Sequence, residues 1–369
     1  MNVKSKAREP REGEPGLRSS LRMNVKAKTA YKGITRKKYL FLLSISAAIV
    51  LTFIIDVMTG PASLSANDVI STILFPAYSE PSVQVIVWTF RLPIALMAIV
   101  IGIALGLAGA IMQTILDNPL ASPYTLGISA SAGFGAALAI VLGVGVLPFA
   151  DTLFVPVNAF VFSLISCMAI YGIARFKQAT SETIVLTGIA VLFLFNSLLG
   201  LLQYMANPEQ VQAIVFWLFG SLTKANWTTL GITVGIVLVV IPLLAMDVWK
   251  LTALRLGDDK ARSLGVNVER IRIKGLILVS VLTATAVAFV GTIGFIGLVA
   301  PHIARMLVGE DHRYFLPFSA LSGAFILSAA SIFSKAVVPG IIFPIGILTS
   351  LIGIPFFVWL LLSKKRGYW

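Results

Sequence analysis

The chain has a single cysteine, Cys167, and two histidines, His302 and His312, among 369 residues. No internal disulfide can form, and neither a thiol cluster nor a histidine-rich metal site can be assembled. Cys167 lies in the apolar run VFSLISCMAIYG and is expected to be a small buried apolar residue. Charge is also scarce. Only 12% of the side chains are ionisable Asp, Glu, Lys or Arg, while 57% are hydrophobic and the mean hydropathy is +0.93. A soluble domain carries roughly 25% charged residues, so a water-exposed globule of this composition would lack a polar shell.

Several chemical motifs are missing too. No G-x-x-x-x-G-K-[ST] string occurs, so any nucleotide that drives this protein binds to another subunit. Neither G-x-S-x-G nor H-E-x-x-H is present, and Gln113, Asn158, Asn196 and Gln203 have no acid–base partner in register, which disfavours a membrane-embedded enzyme. Asp56, Asp117, Asp151, Glu182 and Asp247 fall near the ends of apolar stretches and none falls at a centre. An ion-driven secondary carrier usually couples through a carboxylate near the bilayer midplane, so that class is disfavoured as well.

What is present is a series of hydrophobic stretches of spanning length, at 40–57, 94–115, 126–147, 153–174, 183–205, 228–247, 275–293, 314–334 and 341–362. A tenth, shorter segment, 294–309, carries Pro301 and reads as an abbreviated helix or a re-entrant segment. Ten crossings that start in the cytoplasm place 26 Lys and Arg inside and only Arg91, Lys224 and Lys335 outside. Nine crossings would leave the C-terminal LSKKRGYW outside, against that rule. The expectation is therefore an all-α integral membrane protein with about ten transmembrane helices and both termini cytoplasmic. Small residues at four-residue spacing, Gly102 and Gly106, Gly127, Ser131 and Gly135, and Gly231 and Gly235, are expected to let helices pack closely.

Ahead of the spans, residues 1–38 hold twelve basic and three acidic side chains, a net charge of +9. With Pro10, Gly13, Pro15 and Gly16 and no aromatic residue before Tyr31, residues 1–39 are expected to be a disordered cytoplasmic tail drawn to anionic lipid, with no nucleic-acid role. The repeated MNVK at Met1 and Met23 leaves either methionine as the start of translation. The other polar segment is the cytoplasmic loop 250–274, with seven basic and three acidic residues. Charges alternate there with Leu254, Leu256, Ala261, Leu264 and Val266, a pattern for short surface helices broken at Gly257 and Gly265. Such helices suit docking into a partner's groove; the alternative is a solvated loop that obeys charge topology.

Three separated motifs carry a resemblance. ALRLGDDKARSLGVNVERIR is similar to the coupling segment of the FecCD-type permease subunits of bacterial ATP-binding-cassette importers for iron-siderophore complexes, haem and vitamin B12. RLPIALMAIVIGIALGLAGAIMQTILDNPLASPYTLGISASAGFGAAL resembles that family's second and third helices. VGTIGFIGLVAPHIARMLVGEDHRYFLP and FPIGILTSLIGIPFFVWLL resemble its last third. The resemblance spans residues 40–365, the permease domain.

It implies a type II importer permease in the bacterial cytoplasmic membrane that moves a ferric siderophore by alternating access, with haem or vitamin B12 as alternative cargo. Implied partners are a second permease subunit, identical or homologous, two cytoplasmic ATPase subunits and an extracytoplasmic substrate-binding protein. No cofactor would be bound directly, and ATP would sit on the partner. Leu256, Gly257, Asp258, Asp259, Ala261, Arg262, Leu264 and Gly265 would couple to the ATPase. Arg91 and Lys335 would dock the binding protein, unless they are interfacial anchors. Ile94 stands where the vitamin B12 importers have a second arginine, which counts against that cargo. Asn196, Ser197, Gln203, Thr349 and Ser350 would line the path, although a helix-to-helix hydrogen bond is an equal reading of Asn196. His302, in APHIAR, is expected to be structural.

Overall fold

Without water in the hydrocarbon layer a backbone must satisfy its own amides, and a helix does so within one segment. The computed structural model describes residues 17–62, 64–143, 145, 151–176, 180–338 and 340–363. These residues form fifteen α-helices and no strand. In chain order they are α1 (Leu17–Met58), α2 (Ala66–Leu74), α3 (Pro81–Gln84), α4 (Leu92–Ile115), α5 (Ile128–Leu142), α6 (Asp151–Phe176), α7 (Ser181–Met205) and α8 (Pro208–Leu218), followed by α9 (Trp227–Ala245), α10 (Val248–Leu254), α11 (Asp258–Ser263), α12 (Val268–Val290), α13 (Ile296–Val308), α14 (His312–Ala336) and α15 (Ile345–Ser363). Seven segments are long and apolar enough to cross a bilayer, and α5, α13 and α15 are shorter apolar helices. Together they make ten rods. The segment 294–309 is one of them, the short helix α13.

The N-terminal region departs from expectation. Helix α1 begins at Leu17 and continues without a break into the first span, so the tail is not structureless over 17–39. Its residues beyond Pro15 are mostly helix-forming Leu, Met, Ala, Arg and Lys, which favour extending the apolar helix that follows. Residues 1–16, and Lys364, Lys365 and Arg366, lie outside the described residues. The second span is also longer than 94–115, because α3 and a wide seven-residue turn, Val85–Arg91, join α4 into one segment, Pro81–Ile115. Pro93 has no amide to give, and just ahead of it the Leu92 amide donates five residues back to the Val87 carbonyl. Helix α8 was not expected. It is started by Asn207 and Gln210, whose side chains and backbone amides cap each other reciprocally.

Helix α4 is the hub. Most of its length is buried, against α14, α12, α13 and α9. Glycines make this approach possible: a Cβ at Gly109 would lie 1.8 Å from the Gly297 carbonyl oxygen, and one at Gly102 would lie 2.4 Å from that of Gly323. Gly135 similarly meets Asn158. Gly231 and Gly235 depart from the expected packing role, since among the described residues nothing lies within 4 Å of a Cβ placed at either. They sit on the outward face of α9, where only another molecule could approach.

Tyr39 of α1 packs edge-on against Tyr314 at the start of α14, and His302 packs against Phe356 of α15. The first and last rods therefore run to the same side as the 250–274 loop, here called the basic end. The C-termini of α1 and α14, with α2, α3 and α8, form the far end.

Candidate functional site

At the basic end, α10 is anchored by buried Leu251, Ala253 and Leu254. The chain then turns at Gly257, whose φ of 95° suits only glycine without strain, and α11 follows. Asp258 and Asp259 lie in the first turn of α11 and Lys260 and Arg262 in its last, each charge set matched to the helix dipole. Gly265, at φ 81°, ends the helix, and the Asn267 side chain accepts from the Arg270 amide to start α12.

This folding divides the eight expected coupling residues into two sets. Ala261 is fully buried, and Asp258 turns back to form a two-pronged pair with Arg272, at 2.7 and 2.9 Å. Arg272 is itself buried, and its Nε donates to the Ile115 carbonyl at the end of α4, 2.9 Å away. Leu256 and Leu264 are each 55% exposed, while Asp259 and Arg262 also point to solvent, with a loose 3.6 Å pair between them. Two leucines bracketed by charge, held on a braced turn, form a surface fit for a protein groove. Gly257 and Gly265 shape the turn and have open space beside them.

A second set of residues ties this loop to the bundle and was not among the expected site residues. Arg255 pairs with Asp117 at the end of α4, 2.6 Å away, and with Glu310 in the turn before α14. Arg305 of α13 reaches Glu310 at 3.1 Å and donates to Gln113 of α4 at 2.9 Å. His312, fully buried, joins Thr114 of α4 at 2.8 Å and Thr252 of α10 at 3.3 Å. Asp247, between α9 and α10, is bonded to Lys250 at 2.7 Å and to Lys274. Burial raises the proton affinity of the Asp247 carboxyl, but donation from Lys250 and Lys274 outweighs it and holds the group below the ordinary carboxylate range. The only sequence signal for this brace was that acids cluster at span ends; partners such as Arg255 and Glu310, 55 residues apart, or Thr114 and His312, 198 apart, leave no periodicity to read.

The expected path residues are not gathered within the single chain. Asn196 and Ser197 are exposed on α7, which packs on α5 and α6, and Gln203 is half-buried. Thr349 and Ser350 of α15, which packs on α13 and α14, both donate to the Gly346 carbonyl.

At the far end the two expected docking residues do not stand free. Arg91 is 5% exposed and donates to the carbonyls of Val57, Met58 and Ala62, capping the last turn of α1. Lys335, 7% exposed, pairs with the fully buried Asp56 at 2.6 Å, and Ser331 donates to the same carboxylate. The orphan carbonyls at a helix C-terminus and a buried carboxylate both need cations, and these two residues meet that need. They pin α1 to α4 and α14 in place of forming a charged rim.

A sequence profile of the FecCD transport family matches residues 48–363. The chain belongs to the FecCD transport family. Among its relatives, a hemin transport system permease of Yersinia pestis is 36% identical over 316 residues, covering 86% of this chain and 95% of its own. An Fe(3+)-citrate import permease of Bacillus subtilis is 36% identical over 339 residues, covering 91% and 99%. A vitamin B12 import permease of Serratia proteamaculans is 32% identical over 330 residues, covering 89% and 94%. The fold is similar to that of a transporter described as of the metal-chelate ABC type, solved facing inward, with a TM-score of 0.77, 31% identity and coverage of 88% of this chain and 99% of that one. This FecCD-family chain is a multi-pass membrane protein and an importer permease of the class that handles iron chelates, haem or vitamin B12.

Proposed function

We propose that the protein is the membrane subunit of an ATP-driven importer of ferric siderophores, working by alternating access with two cytoplasmic ATPase subunits, a second permease subunit and an extracytoplasmic binding protein. The basic end is cytoplasmic in this reading, since among the described residues it holds the Lys and Arg of the 250–274 loop with Arg305 and Arg313. ATP binds to the ATPase subunits and no cofactor to this chain. The observation that carries the proposal is the braced turn: Leu256, Asp259, Arg262 and Leu264 point outward while Asp258, Arg272 and the Arg255 cluster tie the turn to α4, α12, α13 and α14. Force applied to such a surface reaches four rods without passing through a flexible joint.

Asn196 and Ser197, on the otherwise largely apolar exposed face of α7, and the first turns of α15 border the path, which a second permease subunit closes. Weakly polar Asn196, Ser197, Gln203, Thr349 and Ser350 let a large complex pass without tight binding. Ile94 is buried in an apolar cluster, so the second arginine of the vitamin B12 importers has no counterpart here, which favours an iron chelate.

Asp259→Arg combined with Leu264→Asp tests the joint in proteoliposomes that contain the whole importer. ATP-driven uptake of ferric siderophore and cargo-stimulated ATP hydrolysis should both fall at least tenfold, with unchanged thermal stability. Wild-type uptake by that variant would refute the assignment. Uptake that persists without ATP but collapses with an ionophore would favour a secondary carrier.

A further inference from the structure

At the basic end, the junction of α9 with α10 and the first two turns of α12 enclose a pocket of about 460 Å³, in the size range of small-molecule sites. Its walls include Met246, Asp247, Lys250, Asn267, Arg270 and Lys274. Three cations from separate stretches of chain thus converge on a single carboxylate, and the pocket keeps a net positive charge. Each oxygen of Asp247 takes one ammonium, Lys250 on the first and Lys274 on the second, which fixes both amines in place.

The donors in this pocket are only partly used. An ammonium has three and a guanidinium five. Lys250 gives one to Asp247, and Lys274 gives two, to Asp247 and the Leu243 carbonyl. Arg270 is exposed, and among the described residues its guanidinium has no partner. Asn267 uses its side-chain oxygen to accept the Arg270 amide, which leaves its own NH2 group for the pocket. Converging free donors of this charge match an anion with several oxygens, such as a phosphate.

Position decides which phosphate fits. One span ends at Ala245 and the next starts at Val268, so the pocket lies level with the lipid headgroups. Beside it Met246 is 70% and Trp249 56% exposed, and Trp is a side chain that collects at that level. Arg270, Lys274 and Ile277 follow at i, i+4 and i+7 on α12, so the charged face continues into exposed apolar surface toward the bilayer core. A free phosphate would use the donors and leave that apolar surface bare.

We propose that this pocket binds the phosphate headgroup of an anionic phospholipid through Arg270, Lys250 and Lys274, with the acyl chains descending past Ile277. Basic pockets between spans recognise anionic headgroups in this way. Gly265, which ends α11, also lies in the wall, so the bound headgroup sits against the root of the coupling turn. The site requires the multi-pass membrane placement and not the importer reading.

The test titrates the purified full-length chain, in uncharged detergent, with phosphatidylglycerol, and counts bound lipid by native mass spectrometry. Arg270→Gln breaks no bond among the described residues and should leave thermal unfolding unchanged while weakening binding about fivefold. Adding Lys250→Gln should bring the loss to about 30-fold, the equivalent of about 2 kcal/mol for two cations at 1.36 kcal/mol per factor of ten. Lys260→Gln, the same loss of charge on α11 outside the pocket, should bind as the wild type does. In nanodiscs, phosphatidylglycerol with a photoreactive acyl chain should label Met246, Trp249 or Ile277 in the wild type and not in the double variant. Equal affinity in the wild type and the double variant, or an equal loss in Lys260→Gln, would overturn the proposal. Displacement by inorganic phosphate at the lipid's own concentration would assign the pocket to a free anion instead. Release of the lipid on addition of the ATPase subunits would assign it to a protein partner, and either result refutes the lipid site.

Discussion

Replacing Arg272 with Gln separates the bracing of the coupling turn from its docking surface. The guanidinium is 5% exposed and makes three bonds at once, two to the Asp258 carboxylate and one to the Ile115 carbonyl. Losing a charge-assisted bond to a buried carbonyl costs about 1.5 kcal/mol. The Asp258 pair adds less than the 3 to 5 kcal/mol of a fully buried pair, because the Asp258 side chain is 34% exposed and water can rehydrate it. A total of about 2 to 3 kcal/mol follows, and it falls locally on α11 and its junction with α12 and α4, since the cluster around Arg255 still holds α10. Hydrogen exchange of the purified protein in nanodiscs reads this directly. Amides of α11 should lose about 30- to 150-fold protection, at 1.36 kcal/mol per factor of ten, while those in the middle of α4 should not change. Arg272→Lys, which keeps the charge but loses the planar fork, should fall between wild type and Arg272→Gln. If α11 exchanges at the wild-type rate in Arg272→Gln, the turn is not held as described and the transmission argument fails.

Two further outcomes follow from other ion pairs. At the far end, Lys335→Met should destabilise the fold by about 3 kcal/mol by leaving Asp56 buried and unpaired, and Asp56→Asn added to it should recover most of the loss; a thermal-unfolding cycle in which the double variant is worse than either single one would refute the pairing. At the basic end, the depressed Asp247 carboxyl stabilises the junction of α9 and α10 fully above the ordinary carboxylate value, and that contribution disappears as pH falls through the lower folded value. Lys274→Met should therefore move acid unfolding to higher pH, and an unchanged acid-unfolding midpoint would show that the pair contributes nothing.

Much of the architecture was legible in the chain because a bilayer leaves few options. Runs of apolar residues that long must be helices, charge bias chose ten rods over nine, and Gly257 and Gly265 marked the ends of α11. The start of α1 at Leu17, the wide turn ahead of Pro93 and helix α8 were missed, because local helix preference and capping act below the scale of a hydropathy window. The coupling residues were found as one string, yet facing decides their roles. Asp258 and Asp259 are adjacent in sequence, but a helix turns about 100° per residue. One meets Arg272 and the other meets solvent.

By itself, then, the sequence determined a membrane-embedded helical bundle without a phosphate loop or a cysteine framework, with its basic residues gathered at one end. Only the tertiary structure decided which charges are free. Arg91 and Lys335 read as a rim, but the ends of α1 and α14 bring carbonyls and Asp56 against them, and a buried cation takes the nearest acceptor. Burial depends on residues that are distant in the chain and adjacent in space, a relation that neither composition nor spacing can express.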